Sequence, residues 1–216
     1  MFQKILNDPY IIDIYSKISE FEDQNKGWAH HDLSHVQNVT NMMEKIFTDL
    51  NYDSHFIEEA KVAGILHDLG AIEGKDNHAY RGYLMAKDYI DTHQIELKNK
   101  DLVLEAIKMH SDHFNTDNMI LCILIFCDKL DIKKSRVAKE GYNITGMRQL
   151  QYIDDIETSI TDKDIIVNFK IENGYDQKEL EEFYFTEKVF NAIKALANKL
   201  NRNYKISINN KDWNAY

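Results

Sequence analysis

The stretch AGILHDLG, Ala63 to Gly70, decides how this chain is read. Ala60, Ala63 and Gly64 fall on one face of a helical period, and the same phase carries His67 onto that face with Asp68 beside it. Small residues there let a neighbouring helix approach closely, so the pair is expected to be buried. The dipeptide alone proves nothing. With nine His and this many Asp, about one adjacent pair is expected by chance, and a short motif needs structural context.

The same oddity recurs on either side. His35 begins a stripe continued by Val39, Met42, Met43 and Ile46; His110 continues Val103, Ala106 and Ile107; and Asp128 follows Leu121, Leu124 and Ile125 in the most apolar segment. A single His on an apolar face is more often a hydrogen-bonded core residue than a ligand. A buried carboxylate is harder to dismiss, because an unpaired ionised Asp loses several kcal/mol of solvation and needs a cation or strong donors. Three inward His and two Asp on four helices, with no inward Lys or Arg among them, favour a metal ion. Imidazole nitrogens and carboxylate oxygens are ligands preferred by zinc, manganese and iron.

The fold expected around these residues is mainly α: a helical bundle over residues 1–140 and a small C-terminal α+β unit over 141–216 packed on it. Asp8 before Pro9 opens the first helix, Val36 to Phe47 marks a second, Ser54 caps a third running from about Phe56 to Leu69, and a fourth spans His78 to Ile90. Leu102 to Ile107 marks a fifth and Met119 to about Ala138 a sixth. Past Gly141 the texture becomes β-branched, giving strands at Asp155–Ser159, Ile165–Ile171 and Tyr204–Ile208 around a helix from Glu179 to Leu200.

Composition sets outer bounds. The 216 residues carry 26 Lys plus Arg against 36 Asp plus Glu, a formal net charge of -10, which argues against broad binding to nucleic acid or an anionic membrane. At 44% hydrophobic and 29% charged the chain is neither disordered nor integral to a membrane in character. Cys122 and Cys127 fit no disulfide framework or CxxC motif, so a reducing cytoplasm is the expected location. The first residues, MFQKILNDPYIIDIYSKISEFED, break their apolar runs with charge too often for a secretory signal.

Together these residues resemble the HD-domain superfamily of all-α metal-dependent phosphohydrolases. Its pattern is a His, an adjacent His-Asp and a distant Asp, met here by His35 in HDLSHVQNV, His67-Asp68 in AGILHDLG and Asp128 in LIFCDKLD, within about Gly27 to Val137. A subset resembling the bacterial dinucleoside-polyphosphate hydrolases has two further histidines and two metals bridged by the Asp of the pair. His78 in NHAYRGYLMA and His110 in AIKMHSDH match those contexts. The resemblance thus implies two divalent ions (Mn, Fe, Zn, Co or Mg), one held by His35, His67 and Asp128, the other by His78 and His110, with Asp68 bridging. His113 is an alternative to His110, whereas His30, His31, His55 and His93 read as surface or loop residues. Two features depart from the family: Ala71 stands where other members place an acidic helper three residues after the Asp, with Glu73 farther along, and no GYP motif appears.

The implied activity is hydrolysis of a nucleotide or other small phosphate ester, with Asp68, His110 and Lys129 as the catalytic set. Lys129, Lys133 and Arg136, spaced along one helical face, and Arg81, a turn beyond His78, are candidate phosphate contacts. The alternatives are a di-iron oxygenase using the same six ligands and a ligand-sensing regulatory module. Tyr184, Phe185, Phe190 and Trp213 can form a lid, a homodimer face or the core of the C-terminal unit, the core reading being preferred.

Overall fold

The computed structural model describes residues 1–111 and 113–216. The chain is mainly α, with a small sheet near its C-terminus. The bundle consists of α1 (Phe2–Leu6), α2 (Pro9–Gln24), α3 (Leu33–Asp49), α4 (Ser54–Leu66), α5 (His78–Thr92), α6 (Lys100–Met109) and α7 (Met119–Leu130). Caps set the starts. Asp8 accepts the Tyr10 amide ahead of Pro9, Asp32 accepts that of His35, and Asp53, not Ser54, caps α4 by accepting from His55 and Phe56. Helix α4 is the central rod, buried along most of its length, as its mixture of Ala, Gly, Val and Ile permits. Gly64 sits where an added Cβ would come 2.7 Å from the Thr40 methyl, so α3 lies tight against it.

The bundle has one helix more than the spacing predicts and one that is shorter. The short α1 is held by Glu58, which accepts the Phe2 amide and pairs with the terminal ammonium. The helix expected to run to about Ala138 ends at Leu130. From there the chain returns beside residues 28–30: His30 donates its amide to the Arg136 carbonyl and Ala138 donates to that of Trp28. This pairing satisfies backbone groups that helix continuation would have satisfied locally, so Ile132 and Val137 are buried from an irregular return segment with one 3-10 turn at Lys134–Arg136 and a single bridge from Val137 to Ala29.

The C-terminal unit contains β1 (Ile153–Ile160), β2 (Asp164–Ile171), α8 (Gln177–Glu182), α9 (Tyr184–Leu200), β3 (Asn203–Ile208) and β4 (Lys211–Asp212). The sheet order is β1-β2-β3-β4, with β2 and β3 parallel and the other pairs antiparallel. A parallel pair needs a crossover, which α8 and α9 supply. Helix α9 also packs against α7, joining the unit to the bundle. Phe190 and Trp213 belong to its core, where Trp213 meets Phe169 and Phe190 edge-on at 5.2 and 5.0 Å. Tyr184 does not: its ring is 58% exposed. Among the described residues no helix is long and apolar enough to cross a membrane.

Candidate functional site

Antiparallel helices bring the start of one beside the end of its predecessor, and the six candidate ligands sit at such ends. His35 is in the first turn of α3, His67 and Asp68 follow α4, His78 opens α5, His110 follows α6, and Asp128 is in the last turn of α7. Two groups result. His35, His67, Asp68 and Asp128 form one, and Asp68, His78 and His110 the other; within each group the ligand atoms lie within 4.8 Å of one another. Asp68 belongs to both. Its Oδ2 is 3.6 Å from His35 Nε2 and 3.3 Å from His67 Nε2, while its Oδ1 is 3.5 Å from His78 Nε2 and 3.7 Å from His110 Nε2.

The imidazoles are oriented from behind. His67 Nδ1 donates to the Gly64 carbonyl, His110 Nδ1 to that of Ile107 and His78 Nδ1 to that of Lys75, each at 2.8 Å. His35 Nδ1 donates to Asp131 Oδ2 at 2.7 Å. A carbonyl can only accept, so in the neutral rings the proton is on Nδ1 and the Nε2 lone pair faces the cluster. His35 Nε2 and His67 Nε2 are buried without a hydrogen-bond partner, and the Nε2 atoms of His78 and His110 face each other at 3.1 Å. Lone pairs converging on shared carboxylates suit a cation, and bonds from Nδ1 to a carboxylate or carbonyl are the usual support for metal-bound histidine. The residues present therefore fit divalent metal ions.

Charge in the cluster is strongly perturbed. Burial works against ionised Asp68, but Lys75, His67 and His110 outweigh it and hold the carboxyl well below its ordinary range. Burial likewise opposes charge on His67, yet Asp68 and Asp128 push its imidazole up to about 9. Burial lowers His110 against the opposing pull of Asp68, and brings His78 down to about 4. The expectation that no Lys or Arg points inward is corrected: Lys129 Nζ stands 2.7 Å from Asp128 Oδ2 and Lys75 Nζ 3.3 Å from Asp68 Oδ1. These ammoniums reach the carboxylates and leave the two imidazole nitrogens unpartnered.

The other expected contacts separate. Arg81 spends its guanidinium on loop carbonyls, donating Nε to Gly70 and Nη2 to Gly74, each at 2.7 Å, so it ties the turn after α4 to α5. Because α7 ends early, Lys133 and Arg136 do not continue a row with Lys129. Lys133 pairs with Asp155 at the surface, whereas buried Arg136 donates to the His30 carbonyl, lies 3.7 Å from Asp131 and still lines the cavity above the ligand cluster. Glu73 points to solvent near Arg81, and His113 is exposed. His31, expected at the surface, is largely enclosed and bonded to Glu22, and Asp131 buttresses His35. Neither role was legible, because Glu22 meets His31 across the loop between α2 and α3 and Asp131 is 96 residues from His35, so no helical period links either pair.

Above the ligands lies a cavity of about 510 Å³ reached by Asp68, His78, His110 and Asp128 from below and by Lys75 and Lys129 from the side. A pocket of this size suits one small molecule. Comparison with curated proteins finds no match. Comparison with protein families matches residues 32–158, more than half of the sequence, to the HD domain, and the chain belongs to that family.

Proposed function

We propose that the protein is a metal-dependent phosphohydrolase acting on a small phosphate ester, with a nucleotide as the favoured class, and that it holds two divalent ions. The observation carrying this reading is the division of Asp68 between two ligand groups beneath a cavity in which Lys75 and Lys129 reach the ligand carboxylates. His35, His67 and Asp128 would hold one ion, His78 and His110 the other, and Asp68 both. The chemistry such ions supply is a water acidified towards neutral pH and positive charge for the phosphoryl oxygens.

The chain's own residues do the rest. Lys129 and Lys75 line the cavity and are placed to bind the non-bridging phosphate oxygens. Asp131 holds the His35 ring, and the carbonyls behind His67, His78 and His110 keep each Nε2 directed inward. Ala71 and the outward Glu73 put no carboxylate three residues after Asp68 or near it, whereas Glu22, which burial raises to about 7, does line the cavity.

The test is a screen of phosphate esters against protein loaded separately with Mn, Zn, Co, Mg or anaerobically with Fe. Turnover that requires metal, stops with chelator and disappears together with bound metal in Asp68→Ala is the expected outcome. Coupled iron with O₂ consumption and no phosphate release would establish the oxygenase alternative instead.

A further inference from the structure

The roof of the cavity is aromatic, and it comes from parts of the chain outside the residues matched to the HD domain. Trp28 lies before the match and the elbow Phe183–Phe185 after it. Trp28 is 45% exposed and Tyr184 58% exposed, although each lines the cavity whose floor holds the ligand cluster.

Both segments are firmly built. The carbonyl of Trp28 accepts the Ala138 amide, and its neighbour Ala29 bridges Val137. Gly141 packs so close that a Cβ there would run into the Trp28 carbonyl. The elbow joins α8 to α9. Phe183 is seated against Gly146, whose φ of +82° and a clearance of 2.6 Å to any added Cβ both require glycine. Glu179 of α8 is bound by Arg148 and by the Gly146 amide. Phe183 and Phe185 stack at 6.3 Å with Tyr184 edge-on to both, and Lys129 Nζ lies 6.0 Å from the Phe185 ring centre while touching Asp128. One ammonium thus spans the boundary between the ionic floor and the aromatic roof.

Resting on the phosphohydrolase reading, we infer that Trp28 and Tyr184 form a subsite for a flat aromatic ring on the alcohol side of the substrate, making them the specificity residues of the site. A ring entering there removes two exposed aromatic surfaces from water and meets π-faces without base-specific hydrogen bonds. The lysines below supply the charge for the phosphate. Aliphatic phosphates satisfy the floor alone. The chemistry therefore selects a nucleotide or an aryl phosphate over a sugar or glycerol phosphate.

The experiment compares kcat/KM for a nucleoside 5'-monophosphate, 4-nitrophenyl phosphate and glycerol 3-phosphate in wild type, Trp28→Ala, Tyr184→Ala, Trp28→Phe and Tyr184→Phe. The wild type is expected to favour the aromatic esters, that preference to fall roughly ten-fold or more in each Ala variant, and the Phe variants to retain most of it. Comparing the nucleotide with the nitrophenyl ester tells whether the ring sits a ribose away from the phosphate or directly on it. A second readout needs no turnover. Trp213 is only 4% exposed, so saturable quenching of fluorescence by the nucleotide reports Trp28 and should vanish in Trp28→Phe. Nucleotide quenching without hydrolysis of any ester would keep the subsite and refute the phosphohydrolase reading. Hydrolysis with no aromatic preference and no quenching would do the reverse. Folded Ala variants with an unchanged preference would also overturn the subsite.

Discussion

Replacing Gly70 with Ala tests the close backbone approach on which the second ligand group depends. A Cβ at Gly70 would overlap the carbonyl oxygen of His78 and the backbone nitrogen of Gly82, and would stand 3.0 Å from the Gly82 Cα. Gly82 faces back with equal economy, its own added Cβ lying 2.9 Å from the His67 carbonyl oxygen. These neighbours are backbone atoms of α5, so no side-chain rotation relieves the clash. Restoring ordinary carbon contacts of about 3.5 Å requires α5 to retreat by roughly 1 Å. Such overpacking costs about 1–3 kcal/mol, and the bond from Arg81 to the Gly70 carbonyl is stretched as well, so the expected loss is about 3 kcal/mol. For a chain of this size that is a fall in Tm of roughly 6–12 °C. His78 travels with the start of α5, away from Asp68 at 3.5 Å and His110 at 3.1 Å. Urea denaturation gives the stability, and, on the proposed two-ion site, elemental analysis should show bound metal falling from two ions towards one. A Gly70→Ala protein within about 0.5 kcal/mol of wild type and still holding two ions would refute the reasoning.

Three further outcomes follow from individual contacts. Asp131→Asn should weaken metal binding roughly 10- to 100-fold in chelator competition, because the carboxylate holding His35 Nδ1 at 2.7 Å is lost while the imidazole remains. Lys129→Ala should raise KM for a phosphate ester about ten-fold or more and flatten the salt dependence of kcat/KM, since its ammonium is one of the two facing the cavity carboxylates. Glu179 is held down to about 2 by Arg148 and the Gly146 amide, against an ordinary value of 4.5. Its folded pKa is depressed, so its contribution is complete above about 4.5 and is lost as the pH falls towards 2. Urea unfolding of Glu179→Gln should show a loss of about 1 kcal/mol at pH 7 that shrinks on acidification through this window.

Helical phase made much of the bundle legible because it is a local property. It singled out His35, His67, His110 and Asp128 as polar residues on apolar faces; His35, His67 and Asp128 lie in one ligand group and His110 in the adjoining one. His78 opens its helix and has no such phase, so only the family resemblance drew attention to it. What escaped was tertiary. Nothing in the local spacing after Leu130 distinguishes a continuing helix from an irregular return segment, and the difference removed the supposed row of Lys129, Lys133 and Arg136. Lys75 and Asp131 show no periodic signal; they matter only because a loop and a helix terminus meet Asp68 and His35. Arg81 has the right charge and the wrong geometry, being saturated by carbonyls.

The manner in which the histidines are held separates robust from fragile parts of the site. His67, His78 and His110 each donate Nδ1–H to the carbonyl three residues upstream, at Gly64, Lys75 and Ile107. Those bonds close within a single turn, so each ring is oriented whenever its own turn is formed. His35 instead depends on Asp131, 96 residues away, and Asp131 is steadied by Asn38 and lies near Arg136. Arg136 in turn binds the His30 carbonyl in the segment leading to α3. The chain thus crosses from the start of α3 to the return segment after α7 and back again before His35 is fixed. Loosening that segment would disturb the group containing His35 while the local bonds of His78 and His110 survive. Destabilisation from Gly70→Ala acts on the opposite side, displacing His78 first. Metal loss in Asp131→Asn and in Gly70→Ala should therefore begin at different groups, with Asp68 remaining a ligand to the survivor in each case.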